Sequence, residues 1–254
     1  MKFSIITPSF NHGRFIEQTI LSVMHQEGCD IEHIVMDGGS KDGTVEILKK
    51  YPHLNWISEK DKGQTDAINR GVLKSHGDII AWLNSDDYYH ENALKEVALY
   101  FQNNPDCHFL YGNLSIVDEN GKLLATDTGD TMSHEALLKN PDAVRQPCSF
   151  WRKDVFEKVG MLNENLHLVM DFEFFLRVSK QYKMHYLNKD LCHFRLHENC
   201  KSLQFSNRQL DEIRAVYEAI SKEPVKLFNS FVLSRKKQKI RQTVVRYLKM
   251  LRLR

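Results

Sequence analysis

The chain has 254 residues, 42% of them hydrophobic, with 14 Phe, 9 Tyr and 3 Trp, so it can bury a sizeable core and is not disordered throughout. Twelve Gly and six Pro, with no repeat of solenoid period, exclude collagen-like and low-complexity architectures. The net charge of +2 conceals a division: residues 224–254 hold ten Lys or Arg and no acid, whereas 1–223 hold 25 basic and 33 acidic residues, a net charge of −8.

In chain order, strand and helix signals alternate. Phe3 to Thr7 is a β-rich run expected to stop at Pro8, and Arg14 to His25 carries an apolar helical face at Phe15, Ile20, Val23 and Met24. Asp30 to Met36 is the second strand, Thr44 to Tyr51 a short helix and Asn55 to Ser58 the third strand. Gln64 to Ser75 is a helix, Asp78 to Leu83 the fourth strand, 91–103 a helix and His108 to Tyr111 a further strand. This alternation predicts an α/β fold, a mostly parallel central sheet flanked by helices. Next, Asn113 to Asp118 and Lys122 to Thr126 flank Asn120-Gly121, a hairpin signal. A loop over 127–145 holds a short helix at Glu135 to Lys139; Phe172 to Lys180 is helical, Tyr182 to Leu196 strand-like and Ser206 to Ser221 helical. The predicted division is a catalytic domain over 1–223, with halves 1–112 and 113–223, and a basic helical tail over 224–254.

Ligands of an open parallel sheet bind beyond the carboxyl ends of its strands. Three polar loops fall there: Thr7-Pro8-Ser9-Phe10-Asn11, Asp37 to Gly43, and Asn84-Ser85-Asp86-Asp87. Adjacent carboxylates after an apolar strand repel one another unless a cation joins them, and Mg²⁺ or Mn²⁺ favours one or two carboxylates plus phosphate oxygens. The competing reading is that Asp86 and Asp87 cap a helix starting near His90. Asp37 suits a base or ribose contact, since a carboxylate repels phosphate. No G-x-G-x-x-G or P-loop motif is present, which removes the fingerprint of the dinucleotide and P-loop classes. Asp171 and Glu173 open an amphipathic helix, either as cap and first-turn acid or with Asp171 as a general base. Cys192, His193, His197 and Cys200 are spaced unlike a structural zinc site.

These motifs together resemble family 2 glycosyltransferases. Ser4 to Asn11, Ile34 to Thr44, Ser58 to Gly71, Gly77 to Asp87, Gln146 to Arg152 and Gly160 to Glu164 match in order over residues 3 to about 200, closest to the bacterial branch building O-antigen and capsule. The resemblance implies a GT-A fold and an inverting transfer from a nucleoside-diphosphate sugar, UDP-sugars favoured, to a saccharide or lipid-linked saccharide. It assigns Thr7, Pro8, Ser9, Asn11, Asp37, Gly38, Asp66 and Ser85 to the donor nucleotide, and Asp86, Asp87 and His197 to Mn²⁺ or Mg²⁺ and the diphosphate. Asp171 falls at the position of the catalytic base. Two positions depart from the pattern: Asn84 stands for the usual leading Asp of the metal motif, and Met170 for the acid before the base. The rivals are a nucleotidyltransferase on a related sheet and a degenerate, non-catalytic nucleotide-sugar-binding protein.

Five scattered cysteines without CxxC spacing fit a reducing compartment. Neither a signal peptide nor an apolar run of about 18 residues is evident, so the expected location is cytoplasmic. Ile240, Val244, Tyr247, Leu248 and Leu251 form a stripe in the basic tail, read as a peripheral anchor on an anionic membrane at its inner face. The same stripe also suits packing on the acidic body or a homodimer contact. Nucleic acid is not expected, because no aromatic stacking platform accompanies the charge.

Overall fold

The computed structural model describes residues 1–141, 143–201, 207–233 and 235. Strands β1 (Lys2–Ser9), β2 (Asp30–Asp37), β3 (Asn55–Ser58) and β4 (Ile79–Trp82) alternate with helices α1 (Ile16–Met24), α2 (Thr44–Leu48) and α3 (Gln64–Lys74). There follow β5 (Tyr88–Tyr89), α4 (Ala93–Asn103), β6 (Phe109–Val117), β7 (Leu123–Asp127), α5 (His134–Lys139) and β8 (Ser149–Arg152). Helices α6 (Lys153–Val159) and α7 (Met170–Gln181), strand β9 (Met184–Arg195) and helix α8 (Asn207–Ile220) complete the labelled elements.

One sheet runs β3-β2-β1-β4-β8-β6-β9-β5, with β7 beside β6. Its first four strands are parallel, as the alternating pattern predicts. Beyond β4 the sheet is mixed: β8 is antiparallel to β4 and β6, and β9 is parallel to β6. The two faces bury different residues of the same strands. Ile6, Ile80 and Trp82 face a core completed by α3, α6, α7 and α8, while Phe3, Ile5, Ile79, Ala81 and Leu83 face α1 and α4. Burial on both faces is why these strands read as nearly continuous apolar runs.

Several boundaries differ from the sequence reading for identifiable reasons. β1 continues through Pro8 to Ser9, because β4 pairs with β1 only as far as Ile6 and Trp82. Past that point one flank of β1 is open, where a proline is tolerated. The strands read separately at His108–Tyr111 and Asn113–Asp118 are one strand, β6, whose register against β9 shifts at Gly112. A Cβ there would run into the Leu191 side chain and lie 3.0 Å from the Lys189 carbonyl oxygen, so the glycine makes room for β9. Residues 224–233 are helical, and Phe231, 2% exposed, joins the core containing Trp151 and Tyr217. The start of the basic segment thus packs on the body; the stripe from Ile240 to Leu251 lies outside the described residues. Among the described residues no helix is long and apolar enough to cross a membrane.

Candidate active site

The chain steps outward from β1 to β2 to β3, then returns to place β4 on the other side of β1. That reversal makes the carboxyl edge of β1 and β4 the switch point of the sheet, where α/β sheets bind ligands.

Three loops are knitted together along this rim of the sheet. At the end of β1, Thr7 is fully buried with its hydroxyl 2.9 Å from His33 Nε2, and the Ser9 hydroxyl is buried with no hydrogen-bond partner among the described residues. Phe10 is 59% exposed, and Asn11 adopts a left-handed backbone (φ +53°), an uncommon conformation outside glycine. The Asn11 N–H donates to Ser40 Oγ (2.7 Å) and its Oδ1 accepts from the Lys41 N–H (3.0 Å), tying the first loop to the second. Asp37, 2% exposed, accepts from the Gly39 and Ser40 N–H groups and from the Ser40 and Ser58 hydroxyls. Its carboxylate therefore already organises the loop. A Cβ on Gly38 would lie 2.9 Å from Asp61 Oδ2, so this glycine makes room, whereas Gly39 and Gly43 supply the positive φ. Asp66, in the first turn of α3, accepts from the Lys62 N–H at 3.1 Å.

The third loop carries the carboxylates. Helix α4 begins at Ala93 behind Asn92, so Asp86 and Asp87 lie well upstream of its first turn and do not cap it. Their side chains diverge. Asp86 Oδ2 is 3.0 Å from His197 Nε2, and Cys200 Sγ completes a group whose donor atoms lie within 4.8 Å of one another. Asp87 is fully buried, with Oδ1 accepting from the Arg195 N–H (3.1 Å) and Oδ2 from Asn84 Nδ2 (3.3 Å). Burial raises the Asp86 carboxyl, but the His197 hydrogen bond and the His12 charge outweigh it, so the group titrates below the usual carboxylate range. Burial and the Asp86 charge push Asp87 well above that range.

The neighbours fix this arrangement. His12 Nδ1 lies 2.6 Å from Ser85 Oγ, and the Thr19 hydroxyl bonds the Ser85 and Asp87 carbonyls. Arg195, 4% exposed, donates to the Asp86 carbonyl (2.9 Å) and to Gln18 Oε1 (2.7 Å). The Cys200 thiol donates to the Arg195 carbonyl (3.0 Å), and burial pushes it up to about 11. Its Sγ also accepts from the His197 N–H, closing the turn that presents His197, and its soft sulfur is the poorest of the three donors for a hard cation, leaving one carboxylate and one imidazole as the favoured donors. That set, short of a full shell, fits Mn²⁺, or Mg²⁺ with oxygens added from a diphosphate. Cys192 and His193 turn elsewhere: Cys192 bonds the Tyr88 carbonyl, and His193 stacks on His90 with ring centroids 3.6 Å apart.

Asp171 is the second residue of α7, and its Oδ1 accepts from the Phe172 N–H at 2.8 Å. Glu173 is committed elsewhere, since both its oxygens hold Arg177 (2.7 and 2.9 Å), which also bonds the Val159 and Met161 carbonyls. The segment before α7 is tied to α3 by Thr65 Oγ1 on the Leu166 carbonyl and by a reciprocal pair between Asn69 and Leu162. The same helix start carries Gln64, whose Nε2 reaches Asn84 Oδ1 at 2.8 Å. One helix terminus thus links the loop leading to Asp171 with the loop carrying Asp86. Sequence reasoning missed His12, Gln64, Gln146 and Arg195, because each gains its role only through partners distant in the chain.

Residues 4–160 match the family model described as Glycosyl transferase family 2. Among curated relatives, the chondroitin synthase of Escherichia coli is 25% identical over 235 residues, covering 89% of this chain and 33% of that protein. The chain spans between 24% and 53% of the length of three other relatives, all uncharacterized glycosyltransferases. Among solved structures, S. aureus TarS 1–349 in complex with UDP-GlcNAc superposes with a TM-score of 0.69 at 18% identity, covering 91% of this chain and 72% of that one. The mannosyltransferase PcManGT from Pyrobaculum calidifontis, in complex with GDP-Man and Mn²⁺, gives a TM-score of 0.63 at 15% identity, covering 90% and 68%. These two share the fold.

Proposed function

Because the chain belongs to glycosyltransferase family 2 and has the GT-A fold, we propose that it transfers a sugar, with inversion, from a nucleoside-diphosphate sugar to an acceptor hydroxyl. The observation that carries this reading is the Asp86–His197 pair at the carboxyl end of β4, beside the switch point of the sheet. A UDP-sugar is the favoured donor, supported by the UDP-GlcNAc complex of TarS, and surface polysaccharide synthesis is supported by the kinship with chondroitin synthase.

In this reading the rim formed by Thr7, Pro8, Ser9, Asn11, Asp37 and Gly38 holds the nucleoside, with Asp66 and Ser85 at its edges. The exposed Phe10 ring offers a face on which a base can stack, and the unpartnered Ser9 hydroxyl offers a hydrogen bond. Asp86 and His197 would hold Mn²⁺ or Mg²⁺, which would supply Lewis-acid neutralisation of the departing diphosphate. Asp87 lies beneath them as a buried support. Asp171 accepts the proton of the acceptor hydroxyl as that oxygen attacks the anomeric carbon, while the bond to the diphosphate oxygen breaks. The pairing of Glu173 with Arg177 supports Asp171 in that role. The +10 charge of residues 224–254 supports a place on an anionic membrane surface, where a lipid-linked acceptor is found.

Release of nucleoside diphosphate from a panel of UDP- and GDP-sugars, with a saccharide acceptor and Mn²⁺, tests the assignment. Turnover of at least one donor is expected; binding without turnover on any donor leaves the non-catalytic rival standing. Sedimentation with anionic against neutral liposomes, for the full chain and for one ending at Glu223, tests the membrane reading, and equal sedimentation of both chains overturns it.

A further inference from the structure

The leading residue of the carboxylate motif is an amide in this chain, and its hydrogen bonds are fixed in polarity from two independent ends. At one end Lys201 Nζ, which can only donate, lies 2.7 Å from Gln64 Oε1. Gln64 therefore turns its Nε2 to Asn84, and Asn84 receives it on Oδ1 (2.8 Å). At the other end the Trp82 carbonyl can only accept, so Gln146 turns its Nε2 there and its Oε1 to Asn84. Asn84 Nδ2 meets that oxygen at 3.2 Å and Asp87 Oδ2 at 3.3 Å. Lys201 through Gln64 and the Trp82 carbonyl through Gln146 thus orient the Asn84 amide the same way, nitrogen toward Asp87.

We propose that Asn84 is a positioning residue: its amide holds Asp87 turned inward and so leaves Asp86 as the one motif carboxylate facing His197. This rests on the assignment of Asp86 and His197 to the donor-side cation. The consequence runs against the family pattern. An aspartate at position 84 would set a carboxylate oxygen against Gln146 Oε1, an acceptor whose own amide nitrogen is held by the Trp82 carbonyl, and would withdraw the N–H that Asp87 Oδ2 now accepts. Restoring the usual leading Asp is expected to impair this enzyme.

The test compares wild type with Asn84→Asp, with the swap Asn84→Asp/Asp87→Asn, and with Gln64→Glu. Three quantities are read: thermal midpoint, Mn²⁺ affinity by calorimetry in the presence of UDP, and kcat and KM for the donor. Asn84→Asp is expected to lower the thermal midpoint, weaken Mn²⁺ roughly tenfold and cut kcat by more than about tenfold. The swap returns a donor to the 84–87 contact and is expected to recover at least half of the lost thermal midpoint and most of the Mn²⁺ affinity. Gln64→Glu sits in the first turn of α3, where an acid is compatible with the helix, and still reverses the polarity at Asn84. It is expected to lower kcat several-fold with donor KM little changed, which keeps the idea testable if Asn84→Asp does not fold. Wild-type or tighter Mn²⁺ binding with full kcat in Asn84→Asp overturns the proposal and makes position 84 a ligand position. A swap as impaired as the single variant overturns it too, as does wild-type kcat in Gln64→Glu. The thermal-midpoint comparison uses neither metal nor donor, so absence of Mn²⁺ binding in wild type would refute the cation reading separately.

Discussion

Two buried carboxylate sites lie at opposite ends of the same parallel strands, and they differ in who supplies their partners. At the amino end Glu32 accepts from the Ser4 hydroxyl, from the His76 and Gly77 N–H groups and from Lys2, 3.2 Å away. Burial raises that carboxyl, yet these bonds bring it down to about 2. At the carboxyl end Asp87 is pushed up by burial and by the Asp86 charge, and Asp86 faces a histidine. A carboxylate saturated by its own protein stabilises the fold. Asp86, beside a second carboxylate and facing a histidine, is by contrast the candidate ligand of the proposed cation.

Mutations at the two ends should therefore fail in different ways. The largest effect is expected at Asp86: Asp86→Ala should cut turnover by at least about a hundredfold with the thermal midpoint nearly unchanged. A collapse of the midpoint with per-molecule activity intact would make the two ends alike. Asp171→Asn should lower kcat by roughly a hundredfold with donor affinity retained, while Glu173→Gln should cost stability through the released Arg177. The opposite pattern would exchange their roles. Asp37→Ala should weaken UDP about tenfold in calorimetry, because its carboxylate shapes the loop from Asp37 to Ser40. Unchanged affinity would take that loop out of the nucleoside site.

The smallest effect on activity belongs to Glu32. Its pKa is depressed from 4.5 to about 2, so its contribution is fully present above about pH 4.5 and fades as pH falls toward 2. Glu32→Gln should cost about 2 kcal/mol at neutral pH, lowering the thermal midpoint by about 4–8 °C, and the deficit should shrink across that acid range. Activity per folded molecule should not change. A pH-independent deficit would show that shape, not charge, holds this end.

The parallel half of the fold and the three rim loops were legible because strand periodicity and the residues following each strand are local signals. Asp86 was visible for the same reason, as half of an adjacent acidic pair after Leu83. The separate fates of Asp86 and Asp87 were not, since they depend on Asn84, Arg195 and His197, two of which lie more than a hundred residues away. The resemblance placed the base at Asp171, but the residue pattern alone left Asp171 and Glu173 alike. The hold of Arg177 on Glu173, with further bonds to carbonyls 16 and 18 residues upstream, was not legible in the sequence. The mixed half of the sheet was read as loose hairpin and strand signals because β8 enters between β4 and β6 from a distant segment.

The most direct test of the contrast between the two ends is nucleoside-diphosphate release by wild type, Asp86→Ala and Glu32→Gln, with Mn²⁺ and again with excess chelator. Wild type and Glu32→Gln should turn over with Mn²⁺ and fall to background with chelator, and Asp86→Ala should remain near background in both. Full wild-type turnover in chelator, or an Asp86→Ala variant as active as Glu32→Gln, would contradict the assignment of the carboxyl-end carboxylate to a donor-side cation.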